Sequence, residues 1–309
     1  MEAVGNFNAL PFEGGITDLD LYQWEGFWYL PPHLEAAKTI KSHFEARDDD
    51  VILASHVKTG THWLKALCFC IMQRQTGAND VEEEDPLVKI TPALCIRTLE
   101  VQVYTPNHSP NLSGMSSPRL FHTHLPCSAL LDSIKNCKCK IVYITRNPKD
   151  TLVSMWHFLN TRRTPEQGPY PFERAFEGFC NGVCPYGSFF DHVLEYWMES
   201  SKMAHKILFL KYEDLRSDPK RQLKRLASFL GKPFVEEEEI DKLVWRCSLE
   251  RLKNLEVNKN GVEPSTGFPN SAFLRLGVVG DWKNNFTSEM KECLDQITLM
   301  KFQGSGLEL

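Results

Sequence analysis

The chain lacks the sequence features that mark several large classes of protein. Its 309 residues contain no apolar run long enough to cross a membrane. The first residues, Met1–Asn8, have neither the positive charge nor the apolar core of a signal peptide. No C-x-x-C pair or Cys/His set has the spacing of a zinc site. We therefore expect a cytoplasmic protein without a metal, whose ten cysteines are mostly small buried thiols.

The sequence also lacks an excess of positive charge and any linker rich in proline, glycine or serine. Its formal net charge is -5, which argues against a general nucleic-acid binder but allows a local basic site for a small anion. A hydrophobic content of 42% and a charged content of 24% are ordinary for a globular protein. We expect one domain over residues 1–309, in which residues 1–25 form an irregular N-terminal segment.

Short apolar segments alternate along the chain with segments of helical periodicity. The segments Val51–Ser55, Arg119–His124, Lys140–Thr145 and Lys206–Lys211 are predicted strands. This alternation predicts an α/β fold with a central, mostly parallel sheet flanked by helices on both faces. Ligands of such sheets bind beyond the carboxyl ends of the strands. The segment from 254 to 285 is predicted to be irregular.

The most informative segment joins the first predicted strand to a helix that begins at Thr61. The connecting turn, Lys58-Thr-Gly-Thr61, combines a lysine with the N–H groups and positive dipole end of a helix N-terminus. Gly60 lets the backbone approach an anion closely, and Thr59 and Thr61 add hydroxyl groups. The lysine precedes the glycine, so this turn is not a Walker A loop. The turn predicts an anion site; an ordinary capped turn is the alternative.

Three other polar residues lie at the carboxyl ends of predicted strands, as the Lys58 turn does. They are His124, Arg146 and Tyr212. Because parallel strands end at one edge of a sheet, we expect all four side chains to meet there. Lysine suits a phosphate or a transferring group, and a histidine at a strand end suits a general base. A surface lysine and a structural histidine are the alternatives.

Further candidates come from the next helix and from the irregular tail. Ser154 follows Arg146 by eight residues, so both can share one anionic partner; a buried ion pair of the arginine is the alternative. Arg275 stands in a segment with glycines that suits phosphate binding, or a plain turn. His122 faces the same side of its strand as His124, which would suit a metal pair, but we find no third ligand.

These segments together resemble the cytosolic sulfotransferase family. The resemblance rests on ordered motifs: the Lys58 turn, Thr123-His-Leu-Pro126, Arg146-Asn-Pro-Lys-Asp150 with Ser154, Lys211-Tyr-Glu-Asp214 and Arg275-Leu-Gly…Gly280-Asp-Trp282. It extends from Trp24 to the C-terminus. Four further segments resemble the plant branch of this family: Phe179-Cys-Asn-Gly182, Phe190-Asp-His-Val-Leu-Glu-Tyr-Trp197, Asn254-Leu-Glu-Val-Asn-Lys259 and Phe302-Gln-Gly-Ser-Gly-Leu307.

The resemblance implies a P-loop-nucleotide-hydrolase-like fold and sulfonyl transfer from 3′-phosphoadenosine 5′-phosphosulfate (PAPS) to a small-molecule hydroxyl, without a metal. It implies a 5′-phosphosulfate site of Lys58, Thr59, Gly60, Thr61 and His62, and a 3′-phosphate site of Arg146, Ser154 and Arg275 to Gly277. Trp63, Tyr212 and Cys247 would surround the adenine, His124 would be the base, and Phe158, Phe27 and Trp28 would contact the acceptor.

The chain departs from the family pattern at several of these positions. His56-Val57 replaces a usual Tyr-Pro, and His62 and Cys247 replace threonines. Leu276 replaces the lysine of Arg-Lys-Gly and removes one charge from the 3′-phosphate site. Since a hydrogen bond to a charged group contributes about 1.5–3 kcal/mol, we expect an active enzyme with weakened donor affinity.

Two rival functions and the identity of the partners stay open from the sequence. One rival is a nucleotide kinase-like phosphotransferase, and the other is a degenerate member that binds a metabolite without efficient catalysis. The resemblance suggests a flavonoid, steroid, jasmonate or desulfoglucosinolate acceptor, and neither a nucleic-acid nor a membrane partner. Lys283–Glu292 resembles the family's dimer motif, which suggests a homodimer. The alternative is that Thr287 only caps a helix.

Overall fold

The N-terminal part of the described chain forms a small hairpin and a helix. The computed structural model describes residues 19–74, 85–105, 110–130 and 132–309. Strands β1 (Tyr22–Trp24) and β2 (Phe27–Tyr29) pair antiparallel through a turn at Glu25 and Gly26, whose φ angles are 49° and 86°. Helix α1 (Pro31–His43) follows. The prediction that residues 1–25 are irregular is therefore wrong for β1, and residues 1–18 lie outside the described part.

The central sheet has four parallel strands among the described residues. They are β3 (Val51–Ser55), β4 (Leu120–Thr123), β5 (Lys140–Thr145) and β6 (Ile207–Lys211), in the order β4-β3-β5-β6. Each neighbouring pair is parallel and in continuous register. This confirms the predicted α/β fold with a parallel sheet. The predicted bounds of β3 and β5 are those observed, and β4 and β6 are shorter than predicted.

Helices surround the sheet and supply most of the remaining structure. They are α2 (Thr61–Gln73), α3 (Pro86–Lys89), α4 (Pro92–Cys95), α5 (Asp132–Asn136), α6 (Pro148–Asn160), α7 (Phe172–Cys180), α8 (Phe189–Lys202), α9 (Tyr212–Ser217), α10 (Pro219–Phe229), α11 (Glu237–Arg246), α12 (Leu249–Asn254), α13 (Glu256–Lys259) and α14 (Ser288–Phe302). A π-helical turn covers Leu99–Val103, and 3₁₀ turns cover Cys127–Ala129, Asn270–Phe273 and Asp281–Asn284. The tail expected to be irregular thus contains α13 and two short helical turns.

The two faces of the sheet bury separate hydrophobic clusters. Ile52 and Ala54 of β3 face one cluster, which includes residues of α1, α6, α8 and α14. Val51 and Leu53 face the other, which includes residues of α2, α10 and α11. Because strand side chains alternate between faces, continuous apolar strands cover both clusters at once. The polar residues that end or follow the strands therefore lie at the carboxyl edge of the sheet.

Two further expectations concern cysteines and membranes. All ten cysteines are free thiols, and most are buried, as expected. No helix in the described parts of the chain is long and apolar enough to cross a bilayer.

Candidate active site

The turn between β3 and α2 brings its backbone against the sheet. Lys58 and Gly60 have φ angles of 65° and 110°, so the chain reverses sharply before α2 begins. A Cβ atom added at Gly60 would lie 2.8 Å from Cδ2 of Tyr212, so only glycine allows this approach. The Thr59 hydroxyl lies 2.8 Å from the carbonyl oxygen of His56 and 3.1 Å from that of Ile144. It fastens the turn to the sheet and does not point to a ligand, contrary to expectation.

A cationic cavity opens at the carboxyl edge of the sheet. It encloses about 790 Å³, part of it open to solvent. Its walls contain the predicted residues Lys58, Gly60, Thr61, His62, Trp63, His124, Arg146, Ser154, Phe158, Tyr212, Arg275, Leu276 and Gly277. The predicted meeting of Lys58, His124, Arg146 and Tyr212 at one edge is thereby observed.

The two arginines of this cavity are held by a backbone carbonyl group and by a carboxylate. Arg146 donates to the carbonyl oxygen of Val278 at 2.7 Å and lies over the Tyr212 ring at 4.7 Å. Arg275 pairs with Asp281. The Nε atoms of both arginines are buried and have no hydrogen-bond partner among the described residues. Since buried cationic donors are normally satisfied, two unpartnered N–H groups in one cavity fit an anion such as a phosphate.

The tail that carries Arg275 is fixed to α6 by one carboxylate. Asp150 accepts hydrogen bonds from the backbone N–H groups of Gly280 at 2.8 Å and Trp282 at 3.0 Å. It also lies 3.5 Å from Arg146. The segment 275–282, which was expected to be a plain or a phosphate-binding turn, is therefore held beside Arg146.

Lys58 lies between aromatic rings at the inner end of the cavity. Its ammonium group donates to the carbonyl oxygen of Ala272 at 3.3 Å and lies 5.9 Å from the centre of the Phe273 ring. Burial, followed by the charges of Arg275 and Arg146, lowers the pKa of Lys58 to about 7. A negatively charged ligand in the cavity would counteract the repulsion between Lys58 and the two arginines. It would raise the pKa of Lys58 and favour the charged lysine.

His62 occupies the position where the family usually has a threonine. Its ring stacks on Phe273 with centroids 4.2 Å apart, and burial lowers its pKa well below the usual value. At neutral pH it therefore adds no positive charge to the cavity.

Aromatic residues line the outer part of the cavity. Trp63 contacts Tyr212 edge to face at 5.4 Å, and the Tyr212 hydroxyl donates to the carbonyl oxygen of Gly277 at 2.7 Å. Cys247 is fully buried and does not belong to the cavity lining. Cys247 therefore does not line the cavity in which it was predicted to contact the adenine. Its thiol contacts Cys70 instead.

A second, mostly apolar cavity adjoins the first. It encloses about 860 Å³ and shares Val57, Lys58, Thr61, His62, His124, Phe158 and Phe273 with the cationic cavity. Leu30 and His33 line it, but Phe27 and Trp28 do not. Phe27 instead packs in the core, with its ring 6.3 Å from that of His192. The prediction that Phe27 and Trp28 form part of the acceptor wall is therefore wrong. Helix α1 begins directly after the hairpin, and its first turn lines the cavity instead.

His124 stands where the two cavities meet, and its hydrogen bonds define its tautomer. Nδ1 lies 2.8 Å from the carbonyl oxygen of Ser55, and its backbone N–H donates to Glu100 at 2.7 Å. Because a carbonyl oxygen only accepts, Nδ1 carries the proton and Nε2 of the neutral ring has a free lone pair. Burial lowers the pKa of His124 to about 3, so the ring is neutral at pH 7. It therefore has the protonation state that a base requires.

The chain is similar to known proteins over most of its length. Residues 48–306 match the family described as the Sulfotransferase domain. The chain belongs to the sulfotransferase family. It is 41% identical over 306 residues to cytosolic sulfotransferase 6 of Arabidopsis thaliana, which covers 97% of this chain and 93% of that protein.

Solved structures of sulfotransferases share the fold. A putative steroid sulphotransferase from Arabidopsis thaliana superposes with a TM-score of 0.77 and 33% identity, covering 98% of this chain and 93% of the other. A mouse sulfotransferase complexed with PAP (the desulfonated donor) has a TM-score of 0.70 and 30% identity, covering 92% of this chain and 95% of the other.

Several residues of the two cavities were missed by sequence reasoning. Gln102, in the π-helical turn, and Glu263, in the tail, line the apolar cavity from segments without a motif, so no sequence signal could have found them. Lys65 also lines it, although it is only 2% exposed. A charged residue among the apolar positions of α2 was the one available signal.

Proposed function

We propose that this sulfotransferase moves a sulfonyl group from PAPS to a hydroxyl group of a small-molecule acceptor. The observation that carries the proposal is the place of His124. Its unprotonated Nε2 belongs to a residue that lines both the cationic and the apolar cavity. A base at that junction can contact an acceptor held on one side and a donor held on the other.

The cationic cavity supports an anionic nucleotide as the donor. Arg146, Ser154 and Arg275 all line it, and the Nε atoms of the two arginines have no partner among the described residues, which suits a 3′-phosphate. The start of α2 with Lys58 suits the 5′-phosphosulfate. The PAP in the mouse relative's complex is the desulfonated form of the same donor.

The residues at the junction have distinct chemical tasks. PAPS, when bound, supplies a sulfonyl group on a phosphate leaving group. His124 takes the acceptor proton at Nε2, while its Nδ1–H keeps donating to the carbonyl oxygen of Ser55, and this oxygen stabilises the imidazolium that results. Lys58 offsets the negative charge that develops on the phosphate side. The protein's remaining contribution is alignment, as in phosphoryl transfer.

The apolar cavity favours a ring-bearing alcohol or phenol as the acceptor. Phe158 stacks on Phe268 with centroids 4.0 Å apart, and Met155 and Leu159 extend this wall. Such a lining binds planar apolar bodies, and the few polar groups orient them. The putative steroid sulphotransferase from Arabidopsis, named for a ring-bearing alcohol, is in line with this class.

A transfer assay and a binding measurement together test the proposal. We expect radiolabelled PAPS to yield labelled products with members of a panel of phenols, flavonols and steroids, in the presence of EDTA. We also expect PAP to bind in calorimetry. Absence of PAP binding would overturn the proposal, and a requirement for magnesium would favour the kinase-like rival.

A second candidate function is metabolite binding without efficient catalysis. It is favoured by Leu276, which is 45% exposed and leaves one side of the cationic cavity without a charge. PAP binding without labelled product from any member of the panel, together with binding of a panel compound, would support this candidate.

A further inference from the structure

Five buried polar side chains form a continuous hydrogen-bonded chain beside the two cavities, and three of them, Thr61, Lys65 and Thr98, also line the apolar cavity. Lys65 donates to the Thr98 hydroxyl at 3.0 Å, which lies 3.0 Å from Nδ1 of His122. Nε2 of His122 lies 2.9 Å from the Ser55 hydroxyl, and that hydroxyl lies 2.7 Å from the hydroxyl of Thr61. All five residues are at most 5% exposed. The chain thus connects the middle of α2 with its first residue through β3 and β4.

The ammonium group at one end gives the chain a direction. Lys65 has no acceptor atom when charged, so Thr98 accepts from it. Among the described residues, the only acceptor within reach of the Thr98 hydroxyl proton is Nδ1 of His122. Burial lowers the pKa of His122 well below its usual value, so its ring is neutral and has one protonated nitrogen. With Nδ1 as an acceptor, the proton of His122 must be on Nε2.

The direction continues to the anion-binding turn. Nε2–H of His122 donates to the Ser55 hydroxyl, which in turn donates to the Thr61 hydroxyl. The proton of Thr61 is then directed away from Ser55, and Thr61 lines both cavities. The neighbouring Thr59 hydroxyl is bound to backbone carbonyl groups, and His62 stacks on Phe273.

We propose that Lys65, Thr98, His122 and Ser55 are positioning residues that orient the Thr61 hydroxyl as a hydrogen-bond donor to the anionic end of the donor nucleotide. This inference rests on the proposed PAPS-dependent function. The four residues act through Thr61 and do not need to contact the nucleotide. Neutral hydroxyl groups can point either way, so an ordered chain removes that freedom before the anion binds.

The tautomer of His122 provides a test on the unmodified protein. In long-range ¹H–¹⁵N correlation spectra of ¹⁵N-histidine-labelled protein, we expect His122 as the Nε2–H tautomer and His124 as the Nδ1–H tautomer. A His122→Asn variant assigns the signal. Detection of His122 as the Nδ1–H tautomer or as imidazolium at pH 7.5 would overturn the proposed direction, whether or not the protein is active.

The effect on the donor is tested by a double-mutant cycle. Thr98→Val breaks the chain and keeps the shape of the side chain, whereas Thr98→Ser keeps the hydroxyl and is the matched control. We expect Thr98→Val to weaken PAP binding about tenfold, as for one hydrogen bond to a charged group, and Thr98→Ser to stay within about twofold of the parent. In a Thr61→Val background, Thr98→Val should cause no further loss, because its effect passes through the Thr61 hydroxyl.

Multiplicative losses in the double variant, or parental PAP binding by Thr98→Val, would overturn the proposed coupling. Failure of the parent protein to bind PAP would instead overturn the proposed function, while the tautomer measurement would still decide the direction of the chain.

Discussion

The ammonium nitrogen of Lys58 lies 4.1 Å from the centre of the Phe158 ring, at the boundary of the two cavities. This cation–π contact joins a residue of the proposed donor site to one of the proposed acceptor wall. It holds the lysine between the two arginines on one side and an apolar cavity on the other. The charge state of Lys58 therefore depends on what each cavity contains.

This arrangement predicts that PAP binding depends on pH above neutrality. The pKa of Lys58 is lowered to about 7 by burial and by the arginines, so the free protein loses this charge as pH rises through 7. PAP favours the charged lysine, and each molecule bound should therefore take up a fraction of a proton. We expect calorimetry to show affinity falling from pH 7.5 to 9, by up to about tenfold per pH unit.

A Lys58→Arg variant is the matched control for this prediction, because a guanidinium keeps its charge over the whole range. Its PAP affinity should change much less between pH 7.5 and 9. A parent protein whose affinity is flat over that range would contradict the prediction.

Removal of the proposed base should separate binding from turnover. We expect His124→Ala to lower kcat by about 10²–10⁴-fold, because the lone pair of Nε2 that takes the acceptor proton is lost. PAP binding should stay within a few-fold of the parent, since the arginines and Lys58 are unchanged. Transfer assays and calorimetry give the two numbers. A variant with the parental kcat would remove His124 from the mechanism.

Restoring the family's lysine should strengthen donor binding. Leu276 lies in the lining of the cationic cavity and is 45% exposed, so Leu276→Lys can place a charge there without a burial cost. For an exposed charge we expect a gain in PAP affinity of about two- to fivefold. Val279→Lys adds the same charge at a 52% exposed position outside the lining and should give no gain. Equal gains in both variants would indicate a general charge effect.

Two glycines of the tail allow a matched test of packing. Gly277 and Gly280 have φ angles of 63° and 90°, so alanine at either position should cost about 1–2 kcal/mol of folding free energy. A Cβ at Gly277 would lie 2.1 Å from Cδ2 of Leu249, whereas at Gly280 the nearest atom is 3.9 Å away. We expect Gly277→Ala alone to weaken PAP binding markedly. Parental affinity in Gly277→Ala would show that the tail is not part of the donor site.

Buried histidines predict a loss of stability in mild acid. Burial lowers the pKa of His33 and His192 to about 4, and His56, His62 and His122 shift in the same direction. Below about pH 6.5 the unfolded chain binds protons that the folded chain does not, so folding stability falls with pH by roughly 1.4 kcal/mol per unit for each such group.

Buried carboxyl groups oppose this trend. Burial raises the pKa of Glu100 to about 7 and raises the pKa values of Glu195 and Glu213 in the same direction, which favours the folded state in acid and offsets part of the effect of the histidines. The net expectation is a urea midpoint that decreases steadily from pH 7 to pH 5 at constant ionic strength. A midpoint that is constant over this range would contradict the predicted protonation states.

The sequence predicts best where one physical pattern dominates. The strands Val51–Ser55 and Lys140–Thr145 were predicted with the observed bounds because they are apolar and buried on both faces. The hairpin strand Tyr22–Trp24 was missed because three residues are too few for a recognisable alternation. Helix α9 was missed because its Lys-Tyr-Glu-Asp segment was interpreted only as a motif after a strand.

For the site, the sequence located residues at the ends of strands, but not the residues that are proposed to act through Thr61. His124 and Arg146 were found because the carboxyl edge of a parallel sheet is a known place for ligands. The direction in which a side chain turns was not predictable: Thr59 bonds to the sheet, and Cys247 faces Cys70. Lys65 and Thr98 belong to a chain of contacts between distant segments, which only coordinates reveal.

Strand β3 is paired with β5 through its whole length and with β4 from Val51 to Ala54. A shift by a single residue would turn every side chain of this strand to the opposite face, so the pairing fixes where the strand ends. The wall of the apolar cavity comes instead from segments outside the sheet, such as α1, α4 and the 263–273 stretch. Under the proposed function, substitutions in those segments would therefore change which acceptor fits, while the strand end that carries the anion-binding turn keeps its position.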